Sequence, residues 1–371
     1  MPIMMKCYPR RSSRKIHLLL FVWTLILLLK TSEAISIGSW MYLGMSSLTQ
    51  PLHDSSTCNH IPFLVNQQQE VCKRNPQSMM CIGHGARKGI SECQYQFKYE
   101  RWNCTTHRSP SVFGKLLEKG TKETAFIHAI ASAGVVHAVT LSCSDGNLTD
   151  CSCDMSLQGN TVEKNTNWRW GGCSDNIKYG LWFGQTFVDA PEITQHKNNR
   201  NVRNLVNLHN NKVGRQIIEE NMAIRCRCHG VSGSCAVKSC WRSMPSFRKI
   251  GDVLKSKYES SIEVGPRSRK KLRRRQKRHR KIRIPDNMLV HMHRSPNFCQ
   301  TDSRKGILGT RGRACEKYSD DGADSCTMLC CGRGYNTKVE KTVTRCHCKF
   351  YWCCKVKCKT CVTKQDVHTC K

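Results

Sequence analysis

Twenty-six cysteines gathered into even clusters constrain this chain more than any other feature. Six lie between Cys93 and Cys173, four between Cys226 and Cys240, and twelve between Cys299 and Cys370. Whether such a set forms disulfides or holds metal depends on the compartment, and the amino terminus speaks to that. Lys6, Arg10, Arg11, Arg14 and Lys15 precede an apolar run from Ile16 to Leu29, broken only by His17 and Thr24. The run has 14 residues, fewer than the roughly 20 that cross a bilayer. Ser32-Glu33-Ala34 then offers small residues where a signal peptidase reads. Residues 1–34 are expected to be a cleaved signal peptide, no other apolar run is expected to span a membrane, and the mature protein is expected in the extracellular space and matrix. Disulfides become the default, and even clusters imply that each region closes its own bridges. Cys226-x-Cys228 beside His229 and Cys346-x-Cys348 beside His347 fit no zinc-finger spacing, so no metal is expected. The sequons at Asn103 and Asn147 are candidate glycosylation sites, which would place both segments at the surface.

The fold class is α+β and disulfide-rich. Phe113 to Leu141 and Asn204 to Asn221 are nearly free of cysteine and carry helical periodicity, as in Leu116, Leu117, Thr124, Ile127, Ile130, Ala131 and Val135. Asn176 to Asp189 and Ser246 to Ser260 read as two further amphipathic helices. The second starts at a Ser246 cap and aligns Phe247, Ile250, Val253, Leu254 and Tyr258 on one face. Residues 35–265 thus form an amino-terminal helical domain with length enough for a true core. Trp182 and Phe183 are assigned to that core, and Arg101 and Trp102 to packing beside Cys104.

Within it, Cys228-His229-Gly230-Val231-Ser232-Gly233-Ser234-Cys235 closes a loop of small residues with a hydroxyl near its apex. The flanking Arg225-Cys226-Arg227 and Ala236 to Trp241 read as short strands, giving a hairpin over about 225–241. Residues 299–371 carry twelve cysteines and few aliphatic side chains, so their shape must come from bridges, each worth ~2–4 kcal/mol. Lys338 to Lys349 reads as a strand and Tyr351-Trp352-Cys353-Cys354 as the tip before a return strand: a small cysteine-rich β-hairpin domain. Between the halves, residues 266–298 are a linker. Twelve of the residues from Arg267 to Arg283 are Lys or Arg and none is acidic, a density that predicts an extended, disordered segment.

The ordered landmarks carry a resemblance. The Cys228 to Cys235 loop, Glu92-Cys93-Gln94-Tyr95-Gln96-Phe97, Arg101-Trp102-Asn103-Cys104, Trp170-Gly171-Gly172-Cys173-Ser174-Asp175-Asn176 and Phe350-Tyr351-Trp352-Cys353-Cys354 resemble the Wnt family of secreted, lipid-modified signalling proteins, over Cys58 to the carboxy terminus. The resemblance implies a helical palm bearing an acylated thumb hairpin and a cysteine-rich domain bearing a second finger. It places a covalent monounsaturated fatty acyl chain on Ser232, with no other cofactor. It implies that Val231, Ser232 and Gly233 of the thumb and Phe350, Tyr351, Trp352, Cys353, Cys354 and Val356 of the finger grip the cysteine-rich domain of a Frizzled receptor. An LRP-type co-receptor, an acyltransferase and a lipid carrier are the further implied partners.

The implied pairs in the amino-terminal part are Cys93 with Cys104, Cys143 with Cys151, Cys153 with Cys173, Cys226 with Cys240, and Cys228 with Cys235. In the carboxy-terminal part they are Cys299 with Cys331, Cys315 with Cys326, Cys330 with Cys370, Cys346 with Cys361, Cys348 with Cys358, and the adjacent Cys353 with Cys354. Cys58 and Cys72 are left to pair, with Cys81 an unmatched thiol.

Rival readings are weaker. Ser232 with His229 three residues before it suggests a hydrolase nucleophile, but Ser234 replaces the final glycine of Gly-x-Ser-x-Gly and the setting is a hairpin, so no enzyme is expected. A net charge of +33 favours polyanion partners. The basic run lacks any nucleic-acid fold motif or interleaved aromatics, which excludes nucleic acid and leaves extracellular heparan sulfate, bound through Arg273, Arg274, Arg275, Lys277 and Arg278. A heparin-binding, disulfide-rich growth factor of another class is the alternative. Arg275-Gln276-Lys277-Arg278 also fits the Arg-x-Lys-Arg pattern cut by furin-type convertases.

Overall fold

The computed structural model describes residues 39–45, 55–61, 63–106, 112–160, 168–199, 201–268, 271–318 and 322–371. The expected signal peptide, with Cys7, lies outside them. Among the described residues seven α-helices build the amino-terminal part: α1 (Asn66–Arg74), α2 (Ser78–Gln96), α3 (Lys122–Ser144), α4 (Ile177–Val188), α5 (Ala190–Asn199), α6 (Val202–Glu220) and α7 (Phe247–Glu259). An eighth, α8 (Cys326–Leu329), lies in the carboxy-terminal part. Asn176 and Ser246 cap α4 and α7, accepting from the backbone amides of Tyr179 and Lys249.

Helix α3 is not the amphipathic helix its periodicity predicts. It touches α2, α4, α6 and α7, and nearly every residue from Glu123 to Val136 is buried. By length and composition it is apolar enough to cross a membrane, contrary to expectation, because it is the core helix of the palm and has almost no face left for water. Glycines let its neighbours approach. A Cβ on Gly85 of α2 would stand 2.6 Å from the carbonyl oxygen of Gly134 on α3, and a Cβ on Gly214 of α6 would run into the carbonyl of Ala129.

Strands β2 (Ala223–Cys228) and β3 (Lys238–Ser243) form the thumb hairpin, and β1 (Trp168–Trp170) pairs with β3 in parallel. The basic segment departs from the extended linker expected of it. Strand β4 (Ile262–Ser268) pairs antiparallel with β5 (Lys271–Arg274) and parallel with β6 (Val290–His291). Alternation explains why: Leu272 turns inward while Lys271 and Arg273 face water, so Leu272 joins Ile262, Val264, Ile284, Val290 and Met292 over Val206 of α6. Repulsion among the cations is relieved by solvent on one side, and apolar burial on the other fixes the sheet.

The carboxy-terminal part is a small core of Cys315, Cys326, Leu329, Cys330 and Cys370, from which a long hairpin projects. Strand β7 (Ala314–Cys315) pairs with β9 (Lys355–Cys370), which runs antiparallel to β8 (Tyr335–Tyr351). The part docks on the palm through Arg313, whose guanidinium donates to the carbonyls of Lys98 at 3.0 Å, Glu100 at 2.7 Å and Arg101 at 2.9 Å. Arg101 returns a bond to the Met328 carbonyl at 3.0 Å, and Trp102 packs against both Phe97 and Phe298.

Buried ionisable groups make the palm sensitive to pH. Burial lowers His128, His137 and His291 to about 4; Arg203 adds to this for His128, and Lys88 for His137. Burial raises Glu192 to about 7. A histidine held neutral in the fold contributes stability above its unfolded value near 6.5 and loses it as pH falls toward 4; the raised glutamate contributes below its unfolded value and loses it as pH rises through 7. Burial lowers His209 as well, so four histidines oppose one glutamate between these limits. The melting temperature should therefore fall from pH 7 to pH 5, and His137→Gln should flatten that decline by roughly a third to a half, as read by thermal unfolding across the range.

Candidate functional site

Two hairpin tips stand out. At the thumb, Cys226 and Cys240 face each other directly across β2 and β3 and are bridged, and Cys228 and Cys235 close the loop above them. Inside the loop the amide of Gly230 donates to the Ser234 carbonyl at 2.8 Å and that of Gly233 to the Gly230 carbonyl at 3.0 Å. Gly230 has no substitute, since a Cβ there would collide with Ser234. Ser232 takes a left-handed conformation at φ 57°, uncommon for a residue with a side chain, and Gly233 follows at φ 77°. These turns lift Ser232 to the apex, exposed, with Val231 beside it 90% exposed. Ser232 and His229 both face solvent.

The thumb's root is held by a motif that sequence reasoning read only as a landmark. Buried Asp175 accepts from the Met244 amide at 2.6 Å, Ser174 accepts from the Arg242 amide at 3.2 Å, and the amide of Asp175 bonds to the Arg242 carbonyl at 2.9 Å. The run Trp170 to Asn176 thus clamps β3 to the start of α4. A short polar run ending in a helix cap was the available signal.

At the other tip, β8 and β9 stay in register from Tyr335 opposite Cys370 to Tyr351 opposite Lys355, with an irregularity between Cys346 and Lys349. Toward the tip most residues of both strands are exposed, while Val367 to Cys370 at the base of β9 are covered, and Cys346 with Cys361 and Cys348 with Cys358 bind the ribbon across its width. Phe350, Tyr351 and Val356 are exposed, and Trp352 projects furthest at 91%. The turn is made by Cys353 and Cys354, each in a left-handed conformation. Here the structure departs from the implied pairing: both are free, exposed thiols, their two backbones turned so as to make the tip's tight reversal without a bond between them. The other implied pairs are joined, Cys58 bonds Cys72, and Cys81 remains a buried free thiol. Trp182 also departs from its core assignment; it lies 59% exposed against Tyr179 while Phe183 takes the buried position one residue on.

The remaining sites are surface features. Asn147 is exposed just after α3, whereas Asn103 is half-buried and its side chain accepts from Thr105. In the basic sheet, Arg273 and Arg280 line both of two clefts of about 510 and 350 Å³, joined in the larger by Arg267, Lys271, Lys281 and Arg283. Arg275 pairs with Glu263 at 3.1 Å, Arg274 is half-buried, and Arg273, Lys277 and Arg278 are exposed.

A disulfide-closed hairpin on a helical palm, with a cysteine-bridged finger beside it, defines a secreted Wnt-type signalling ligand. The chain belongs to the Wnt family, whose model matches residues 60–371. Among its relatives, Protein Wnt-16 of Bos taurus is 49% identical over 339 residues, covering 90% of this chain and 92% of the relative. Protein Wnt-16 of Mus musculus is 50% identical over 341 residues, with the same coverage. A solved structure of human WLS in complex with WNT8A is also similar, at a TM-score of 0.57 and 34% identity, covering 79% of this chain and 94% of that one. The family consists of developmental signalling ligands, not enzymes.

Removing the bridge above the thumb should act on the tip alone. A Cys228→Ser, Cys235→Ser variant should keep the thermal midpoint of the palm, because the loop buries none of its core, while limited proteolysis between residues 228 and 235 becomes at least about tenfold faster, as local opening costs less.

Proposed function

We propose that the protein is an acylated ligand that grips the cysteine-rich domain of a Frizzled-type receptor with its thumb and finger and so activates Wnt signalling in development and cell fate. The observation that carries this reading is the placement of Ser232, an exposed hydroxyl at the apex of a loop closed by Cys228 and Cys235. A hydroxyl so presented is accessible to a membrane-bound acyltransferase of the Porcupine type. A chain of about sixteen carbons, at ~0.8 kcal/mol per buried methylene, offers on the order of 10 kcal/mol before the costs of association. Such an acyl chain needs a carrier through the secretory pathway, and the complex of a related Wnt with WLS supports a lipid-carrier partner. The finger contributes a second, aromatic contact through Phe350, Tyr351 and Trp352, the side-chain types that make interface hot spots. An LRP-type co-receptor completes the signalling assembly.

Ser232→Ala should be secreted with its disulfides formed, lack the lipid by mass spectrometry and lose receptor binding. Ser232→Gly, which suits the left-handed backbone better, should fail equally. An acylation-free Ser232→Ala ligand that signals normally would sink the proposal. Trp352→Ala should retain the lipid and weaken receptor affinity by roughly thirty-fold, the equivalent of ~2 kcal/mol, in a direct binding titration.

The same chain is proposed to bind heparan sulfate through the folded basic sheet. Cations approach the shared clefts from both strands and from the segment after them, which suits a sulfated chain lying across the sheet. Because counterion release dominates such binding, replacing Arg273, Arg274, Arg275, Lys277 and Arg278 with Gln should lower the salt at which the protein leaves a heparin column. Affinity for an isolated Frizzled domain should persist, since neither tip is changed.

A further inference from the structure

The Arg275-Gln276-Lys277-Arg278 run is placed where a protease reaches it. All side chains from Arg275 to Arg283 are exposed, and Lys277–His279 form a single 3-10 turn that starts just beyond β5. The turn is held by backbone bonds from His279 to Gln276 at 3.1 Å, from Arg280 to Lys277 at 3.5 Å and from Ile282 to His279 at 3.0 Å, and by a side-chain bond between Gln276 and His279 at 2.8 Å. Drawing it into an extended strand breaks those bonds and frees Arg275 from Glu263, which it meets through its amide at 2.9 Å and its guanidinium at 3.1 Å, and from the Met292 carbonyl at 3.1 Å. An opening that sacrifices a few surface hydrogen bonds and one partly exposed ion pair sits toward the low end of local stability.

The disulfide map says what a cut there does. Among the described residues every bridge lies either within residues 58–240 or within 299–370, and none spans residue 278. Noncovalent contacts do span it. After a cut, Val290 still exchanges two hydrogen bonds with Asn210, at 2.9 and 3.0 Å, and His209 still meets the Met288 carbonyl at 2.9 Å. Arg313 still holds the carbonyls of Lys98, Glu100 and Arg101.

We propose that Arg278–His279 is a processing site for a subtilisin-type convertase that recognises Arg-x-Lys-Arg, and that the cut protein is a two-chain molecule held together without a covalent link. The step is amide hydrolysis: water adds across the Arg278 to His279 bond, leaving a carboxylate on Arg278 and a new amino terminus on His279. The thumb then stays on one chain and the finger on the other. Their joint grip on any common partner comes to depend on the docking contacts, whose effective concentration replaces that of a continuous chain.

The test uses the full secreted chain, folded and unreduced, incubated with soluble furin. Amino-terminal sequencing should find a new chain beginning at His279, and Arg278→Gln should abolish it. On a denaturing gel without reductant the product should run as two bands, while native gel filtration should give one peak at the intact position. The heat-denatured, reduced and alkylated chain is the control. If furin cuts that control at His279 but leaves the folded chain whole, or cuts the folded chain only elsewhere, the site is overturned. If the two pieces separate on native gel filtration, or stay joined on the unreduced denaturing gel, the two-chain arrangement is overturned.

Discussion

A two-stranded ribbon that exposes both faces buries too little apolar surface to hold itself in water. Strands β8 and β9 are such a ribbon over most of their length, and the thumb is a shorter hairpin that gains only the short β1 beside β3. Both are held by bridges: Cys346 with Cys361 and Cys348 with Cys358 in the finger, Cys226 with Cys240 and Cys228 with Cys235 in the thumb. The cross-links free each tip from any need to bury its residues, so that Val231, Ser232 and Trp352 face solvent. The disulfides thereby decouple stability from the surfaces used for contact.

The palm solves the opposite problem. It is stabilised by burial around α3, where Gly85, Gly134 and Gly214 allow helix backbones to close on one another. Some of its buried polar groups meet in directed pairs. Arg215 makes a two-pronged contact with Asp189, at 3.0 and 2.7 Å, and also reaches Ser132 of α3. A buried pair of this kind fixes the helix arrangement more than it adds net stability, because desolvation offsets much of the attraction. Asp175 extends the same logic to the thumb, anchoring a flexible hairpin to a rigid base.

Between the palm and the finger, charge and patterning compete. Twelve cations in the run from Arg267 to Arg283 argue for an extended chain, yet an inward Leu272 and the neighbouring Ile262, Val264 and Val290 fold part of it onto α6. The stretch beyond β5, from Arg275 to Arg283, has no such inward residue and remains a surface loop. A boundary between ordered and accessible backbone therefore falls inside the basic run itself.

Local signals along the chain were enough for its expected compartment, the disulfide-rich α+β class, the capped helices at Ile177–Val188 and Phe247–Glu259, and both hairpins with their tips. Those signals are the spacing of cysteines, cap residues, glycine at turns and alternation. Long-range packing had to decide that α3 is buried on all sides, that Trp182 faces water while Phe183 does not, that Cys353 and Cys354 are separate thiols, and that the basic segment is part of a sheet. The burial of α3, the exposure of Trp182 and the folded basic segment depend on which distant element covers a given face, and the two thiols on the left-handed turn at the exposed tip. Periodicity says that a face exists; Arg313 on Lys98, or Leu272 over Val206, says what it meets.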